Sequence, residues 1–236
     1  MDYESWHRET YVIIISHLIH IMVRIYFLRH GESVGNSLQI RQGAEGGLTE
    51  CGKIQAKKAA KQISEYPIEL VLSSTMERAK ETAHIINKKL KLSIEFSPLW
   101  SERRRASIEI GKHSIDPEMV EIDNKMRKNF HVNDWRYSDE ENFAELKGRT
   151  KKALTFLENL KKEHVLVVSH GYFIRALGAY MVFGSALLPE HYLQFGESLD
   201  VAHTGIGICD FGRKKTKSAH TGWKIVSWNN HSHLEK

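Results

Sequence analysis

Short apolar runs rich in β-branched and aromatic residues alternate along the chain with longer segments of helical periodicity. Such runs are typical of buried strands, and the longer segments are typical of helices. The predicted strands cover residues 23–28, 70–73, 93–96, 164–169, 201–211 and 223–228. The predicted helices run from a capping Thr49 to about residue 65, from a capping Ser74 or Thr75 to about 90, from about 142 to 162, and from 172 to about 183. This alternation predicts an α/β fold, a three-layer sandwich whose mostly parallel central sheet is flanked by helices.

One long segment, from residue 101 to about 142, lacks this regular pattern. It is charged and aromatic, and a helix is predicted in it after Asp116 and Pro117. Irregular segments of this length between regular elements usually have a function, often as a lid. We therefore expect one domain over residues 22–236 with a lid inserted at about 101–142.

The first residues form a separate feature. Residues 11–23 are apolar but too short to span a bilayer, and His17 and His20 interrupt them. Acidic residues stand where a signal peptide carries positive charge, and no small-residue cleavage site follows. The segment could be an extra helix packed on the domain, an interfacial segment, or sequence upstream of a true start at Met22. We favour the last, because the first strand begins directly after Met22, and we expect residues 1–21 to be an extension with no membrane span.

Composition limits which classes of partner and which cellular compartment we expect. The formal net charge of +5 mildly favours an anionic partner. The densest basic run is only Arg103, Arg104 and Arg105, and no basic-aromatic signature is present, so we predict no nucleic-acid partner. The two cysteines, Cys51 and Cys209, form neither a disulfide framework nor a zinc-binding pair. A reducing compartment fits this cysteine usage, and we expect a cytoplasmic protein.

Two runs end predicted parallel strands in the same way. Arg29-His30-Gly31 follows the first strand, and Ser169-His170-Gly171 follows the fourth. Ligands of open α/β sheets bind at the carboxyl ends of the strands, so both histidines can converge on one pocket. The glycines allow the backbone to approach closely.

An arginine is predicted at the same sheet edge. Arg78 lies in the first turns of the helix that follows the second strand. Its guanidinium suits bidentate phosphate binding. Its position alone is equally compatible with a solvated helix face.

Taken together, these motifs resemble those of the histidine phosphatase superfamily, the group that contains cofactor-dependent phosphoglycerate mutase. The matching pieces are Arg29-His30-Gly31-Glu32 with Asn36, Leu48-Thr49-(x)2-Gly52-(x)2-Gln55-Ala56, Ser73-Ser74-(x)3-Arg78-Ala79-(x)2-Thr82-Ala83, Leu99-(x)2-Glu102, Ser169-His170-Gly171 and the tail Trp228-Asn229-Asn230-(x)2-His233-Leu234. They occur in order over about residues 22 to 234. The first 21 residues lie outside the resemblance.

The resemblance implies a role for each matching residue. His30 is the nucleophile that becomes transiently phosphorylated. The cationic phosphate pocket consists of Arg29, Arg78 and His170, and Asn36 adds a hydrogen bond. These cations can neutralise the transferring phosphoryl group, which is most of what such a reaction requires.

The proton donor implied by the resemblance is Glu102, on the loop after the third strand. Two other glutamates are alternatives: Glu109 lies close in the same loop, and Glu32 lies beside the nucleophile. The spacing after Leu99 favours Glu102, and we expect Glu32 to organise the loop.

Two other classes of protein are less consistent with the chain. None of the 14 histidines has HExxH-type or paired Asp/His spacing, so we predict no metal site and no cofactor. A non-catalytic phosphate-binding relative would be expected to lack the nucleophile, the acid or the second histidine. Candidates for all three are present.

Phosphatases and mutases share this chemistry, but a mutase must also keep water out. Gly35 stands where the mutases have a characteristic tryptophan. We therefore favour a phosphoric monoester hydrolase acting on a small phosphorylated metabolite, with phosphoglycerate mutase-type transfer as the alternative. The sequence specifies neither the substrate nor the oligomeric state.

Lid residues are expected to shape substrate specificity. They include Arg103, Arg104, Arg105, Lys112, His113 and Trp135. Their basic character fits either a second anionic group on the substrate or ordinary solvent-facing charge. His203 is expected near the pocket, without an assigned role.

Overall fold

The computed structural model describes residues 22–132, 134–212 and 222–235. The strands are β1 (Met22–Arg29), β2 (Leu70–Ser73), β3 (Ile94–Phe96), β4 (His164–Ser169), β5 (Ile206–Gly212) and β6 (Gly222–Asn230). They form one six-stranded sheet in the order β3-β2-β4-β1-β5-β6. The first four strands in this order pair in parallel, whereas β5 pairs antiparallel with both β1 and β6. The predicted α/β fold with a mostly parallel sheet is confirmed.

Helices flank this sheet. They are α1 (Val34–Ser37), α2 (Glu50–Ile63), α3 (Glu77–Leu90), α4 (Pro117–Asn129), α5 (Phe143–Glu158), α6 (Gly171–Phe183) and α7 (Pro189–Ser198). Short 3-10 turns occur at Pro98–Trp100, Ser107–Glu109, Gly184–Ala186 and Ser232–Leu234. No helix in the described ranges is long and apolar enough to cross a membrane.

The central strands are buried on both faces, which produces the three layers. In β1, Val23, Ile25 and Phe27 belong to a core cluster shared with α5 and α6. The alternate residues Tyr26 and Leu28 belong to a second cluster shared with α2 and α3. Successive side chains of a strand point to opposite faces, so an almost continuous apolar run is required here.

Some predicted boundaries were wrong. The strand predicted to begin at residue 201 begins at Ile206, because the chain turns first, with Thr204 at φ 57°. The helix predicted to start from a Ser74 or Thr75 cap is preceded by Met76, which makes no side-chain cap. The helix predicted to reach residue 162 ends at Glu158. The predicted extension 1–21 lies outside the described residues.

The segment predicted as a lid contains α4 and packs on its own small cluster. Met119, Ile122 and Met126 are buried there against aromatic side chains. Ion pairs connect this segment to the loop after β1, because Arg41 contacts both Glu109 and Asp123. This segment is therefore anchored to the loop that follows β1.

Candidate active site

Three adjacent strands end at one edge of the sheet. His30 follows β1, His170 follows β4, and Ser74 follows β2. The ladder continues past the strand ends, since His30 N–H donates to the Ser169 carbonyl at 2.9 Å. The ring centroids of His30 and His170 are 5.0 Å apart. The structure thus brings together the two histidines expected to converge.

The imidazole of His30 is held in one tautomer. Its Nδ1 lies 2.6 Å from the Gly31 carbonyl oxygen, which can only accept, so Nδ1 carries the proton. Its Nε2 accepts from Arg78 Nε at 3.3 Å. Burial, followed by the charges of His170, Arg78 and Arg29, lowers the pKa of His30 well below 6.5. His30 is therefore neutral at pH 7, with a lone pair on Nε2.

The backbone beside His30 is fixed by close packing. Gly31 N–H donates to Thr82 Oγ1 at 3.1 Å. A Cβ on Gly31 would lie 2.5 Å from the carbonyl oxygen of Gly52, at the beginning of α2. A side chain at Gly31 would therefore displace the histidine loop.

His170 is fully buried beside His30. Its Nε2 is 2.8 Å from Ser74 Oγ, so the hydroxyl expected to cap a helix contacts this histidine, while it also accepts from Met76 N–H at 3.1 Å. Its Nδ1 has no hydrogen-bond partner among the described residues. Burial and then the charges of Arg78, Arg29 and Arg149 lower the pKa of His170.

Two guanidinium groups flank the histidines. Arg78 is buried, and its Nη1 donates to the Gly43 carbonyl at 2.9 Å. Arg29 Nη1 donates to the Val201 carbonyl at 2.6 Å, in the segment before β5. Burial lowers the pKa of both guanidiniums, and the nearby carboxylate of Glu102 opposes that shift. Neither arginine forms an ion pair within the described residues.

The three candidate glutamates lie in different surroundings. Glu102 lines a cavity of about 750 Å³ together with His30. Its oxygens accept from the N–H groups of Tyr172 and Phe173, at the beginning of α6. Glu109 is fully buried and paired with arginines, and Glu32 accepts from the hydroxyl of the capping Thr49 at 2.7 Å. Only Glu102, of these three, lines the cavity of His30.

Asn36, which lines the cavity, contacts His203. Asn36 Oδ1 accepts from Ser33 N–H at 3.3 Å and lies 3.2 Å from His203 Nε2. A backbone N–H can only donate, so the amide oxygen faces Ser33 and the amide NH₂ points away from it. Burial and then Arg29 lower the pKa of His203 to about 4.

His203 and Ser74 are the site residues whose contacts the sequence did not predict. The His203 ring centroid lies 5.9 Å from that of His30, although no motif marks this histidine. Ser74 could have been recognised by its position, since it directly follows β2 at the same sheet edge.

The arrangement can bind a phosphoryl group and attack it. A neutral imidazole whose unprotonated Nε2 faces Arg78 lies between fixed cations, and a carboxyl group lines the same cavity. Within the described ranges, no three His, Cys, Asp or Glu side chains cluster in a way that could hold a metal ion.

The chain matches known proteins over most of its length. A curated protein of Photorhabdus laumondii, named probable phosphoglycerate mutase GpmB, is 32% identical over 212 residues, which cover 88% of this chain and 90% of its own. The fold resembles that of the alpha-ribazole phosphatase from Shigella flexneri (TM-score 0.70, 21% identity, 89% of this chain and 97% of that one). It also resembles a phosphoserine phosphatase mutant from Entamoeba histolytica in complex with phosphoserine (TM-score 0.69, 21% identity, 90% and 99%).

The family model that matches the chain extends over the whole site. It covers residues 25–231, from β1, which precedes His30, to the first residue after β6. The chain belongs to the histidine phosphatase superfamily (branch 1).

Proposed function

We propose that this protein is a phosphatase that hydrolyses a small phosphomonoester through a phosphohistidine intermediate on His30. The observation that carries this proposal is the hydrogen bonding of His30, which places the proton on Nδ1 and leaves Nε2 unprotonated, facing Arg78. A histidine must attack phosphorus with an unprotonated nitrogen. The reaction is proposed to proceed without a metal ion, since Arg29 and Arg78 can supply the neutralising charge.

The reaction would take place in two steps. The phosphoryl group binds among Arg29, Arg78 and His170, and His30 Nε2 attacks phosphorus while the bond to the ester oxygen breaks. Glu102, as the carboxylic acid, gives its proton to the leaving alkoxide. Water then attacks the phosphohistidine and passes a proton to Glu102, which releases inorganic phosphate and restores His30.

Mutase activity is the second candidate. It is favoured by the curated relative named probable phosphoglycerate mutase. The phosphatase is favoured by Gly35 and by the solvent exposure of Arg104 and Arg105 on the cavity wall, because a mutase must exclude water. We expect the reaction to take place in the cytoplasm, on a phosphorylated metabolite.

Trapping of the intermediate tests the catalytic role. Wild-type protein incubated with a ³²P-labelled phosphomonoester and quenched in alkali should carry acid-labile label, whereas His30→Ala should carry none. His131→Ala is the matched control, because His131 is an exposed histidine of the lid. Equal hydrolysis of p-nitrophenyl phosphate by wild type and His30→Ala would refute the proposal. Loss of activity in EDTA would refute its metal-free form.

The choice between phosphatase and mutase needs a separate assay. With 3-phosphoglycerate, the proposed phosphatase should release inorganic phosphate at a rate similar to substrate loss. Conversion to 2-phosphoglycerate with little phosphate release would establish the mutase instead.

A further inference from the structure

The wall of the His30 cavity carries more positive charge than one phosphoryl group could neutralise. Among the described residues that line it, seven are arginines and two are glutamates, Glu102 and Glu141. The arginines are Arg29, Arg41, Arg78, Arg103, Arg104, Arg105 and Arg149. The volume of about 750 Å³ is in the range of sites for whole metabolites rather than for phosphate alone.

Three of these arginines are balanced by carboxylates. Glu141 accepts from Arg149 through both oxygens, at 2.7 Å each. Arg41 and Arg105 share the buried Glu109, and Arg41 also contacts Asp123. The charges of these three arginines are therefore already balanced within the fold.

Arg103 differs from them, because it is fixed in place without a carboxylate partner. Its Nε donates to the Glu141 carbonyl oxygen at 3.0 Å, and its guanidinium carbon lies 5.4 Å from the ring centroid of Phe130. Its backbone N–H donates to Glu102 at 2.9 Å. Within the described part of the chain, Nη1 and Nη2 have no hydrogen-bond acceptor. Arg103 thus presents an oriented, unneutralised fork.

The position of Arg103 links two cavities. It lines the His30 cavity and an adjoining one of about 340 Å³, whose wall includes Phe130, Tyr172 and Tyr192. Arg104, which also lines both, is more exposed, and its nearest carboxylate oxygen is on Glu145 at 3.9 Å. A substrate held at His30 would extend past Arg103 to enter the second cavity.

A phosphomonoester dianion would balance Arg29 and Arg78 but not Arg103. We propose that Arg103 binds a second anionic group, carboxylate or phosphate, of the substrate. The preferred substrates are then phosphomonoesters that carry two anionic groups. This inference rests on the proposed function, which puts the reacting phosphoryl group at His30.

Matched ligand pairs test the second anion without turnover. Calorimetry on the His30→Ala variant would compare O-phosphoserine with O-phosphoethanolamine, which lacks the carboxylate, and fructose 1,6-bisphosphate with fructose 6-phosphate. A charged hydrogen-bonded pair predicts roughly 10- to 100-fold tighter binding of the diacid in at least one pair. The pair that shows the preference identifies the second group as carboxylate or phosphate.

Adding Arg103→Gln should reduce that preference to about one, while Arg103→Lys should retain part of it because it keeps the charge without the fork. Arg136→Gln is the matched control, since Arg136 is a lid arginine that pairs with Glu145 and lines neither cavity. Circular dichroism would confirm that the variants fold.

Equal affinities within both pairs, or a preference that survives Arg103→Gln, would overturn the inference. If phosphate binds and His30 labels but both pairs are equal, the proposed function stands and only the second-anion inference fails; if His30 does not label, both fail.

Discussion

Substitutions of Glu109 and Glu102 test whether the first has a structural role and the second a catalytic one. Both lie in the loop after β3, and the sequence offers both as the proton donor. The structure buries Glu109 completely and pairs it with Arg41, whose side chain is only 3% exposed. Glu102 forms no ion pair in the described residues and lines the cavity of His30. Loss of charge should therefore affect stability at Glu109 and activity at Glu102.

Glu109→Gln should mainly destabilise the fold. Removing one partner of a buried ion pair costs about 3–5 kcal/mol. Arg41 keeps Asp123 at 2.5 Å, so we expect the lower end, about 3 kcal/mol. For a protein of this size, each kcal/mol lowers Tm by about 2–4 °C, which predicts a decrease of roughly 6–12 °C.

Glu102→Gln should mainly impair the reaction. Loss of a general acid typically lowers kcat roughly 100- to 10,000-fold. The loss should be largest for an alkyl phosphate, whose alkoxide needs a proton, and smaller for p-nitrophenyl phosphate. Its Tm should stay within about 2 °C of wild type, because no buried ion pair is broken.

Thermal unfolding followed by circular dichroism and steady-state hydrolysis of an alkyl phosphate would be measured on the same preparations. Glu65→Gln, an exposed residue after α2, controls for the loss of one charge. If Glu109→Gln unfolds at the wild-type temperature but loses activity as proposed for Glu102→Gln, then Glu109 is the acid and the reasoning is wrong.

Three further predictions concern the histidines. An NMR titration should find His30 neutral through pH 6.5, with protonation only well below it, because burial and neighbouring cations lower its pKa; a midpoint at or above 6.5 would contradict this. Protonation of the unfolded chain begins near pH 6.5, so the stability that the neutral, buried His30 contributes should decrease as the pH falls below that value. His203→Ala, which removes a donor to Asn36, should raise Ki for inorganic phosphate about 2- to 10-fold with a smaller change in kcat. His203→Gln should restore most of the affinity, and equal effects of the two changes would rule out the hydrogen bond as the cause.

Much of the fold and the placement of both histidines could be predicted from local pattern. The run 164–169 is buried on both faces, which makes it an almost uninterrupted apolar segment and marks a central strand. Because β1 and β4 are parallel neighbours, His30 and His170 had to emerge at the same edge. Composition and spacing suffice for this level of description.

Other features depend on contacts that no local pattern encodes. Ser74 has the residue type of a helix cap, but the helix begins after Met76, and the Ser74 hydroxyl also contacts His170, which is 96 residues away. The Val201 carbonyl, predicted to lie in a strand, instead accepts from Arg29, which is 172 residues away, and β5 begins only at Ile206. Glu109 is distinguished from Glu102 by its burial against Arg41, which is 68 residues away. In each case, a long-range interaction determines the role of a residue whose type allows several.

The same contacts suggest why an anion should be bound tightly at His30. Arg78 is buried and Arg29 is half-buried, and neither forms an ion pair in the described residues. Backbone carbonyls of Gly43 and Val201 orient them without neutralising their charge. Taking a cation out of water costs free energy that a carbonyl dipole offsets only in part. A bound phosphoryl group would offset this free-energy cost by pairing with both guanidinium groups. The stabilisation would increase in the transition state, because negative charge accumulates on the transferring oxygens there. The folded protein therefore keeps two unpaired cations at the position where the reaction develops negative charge.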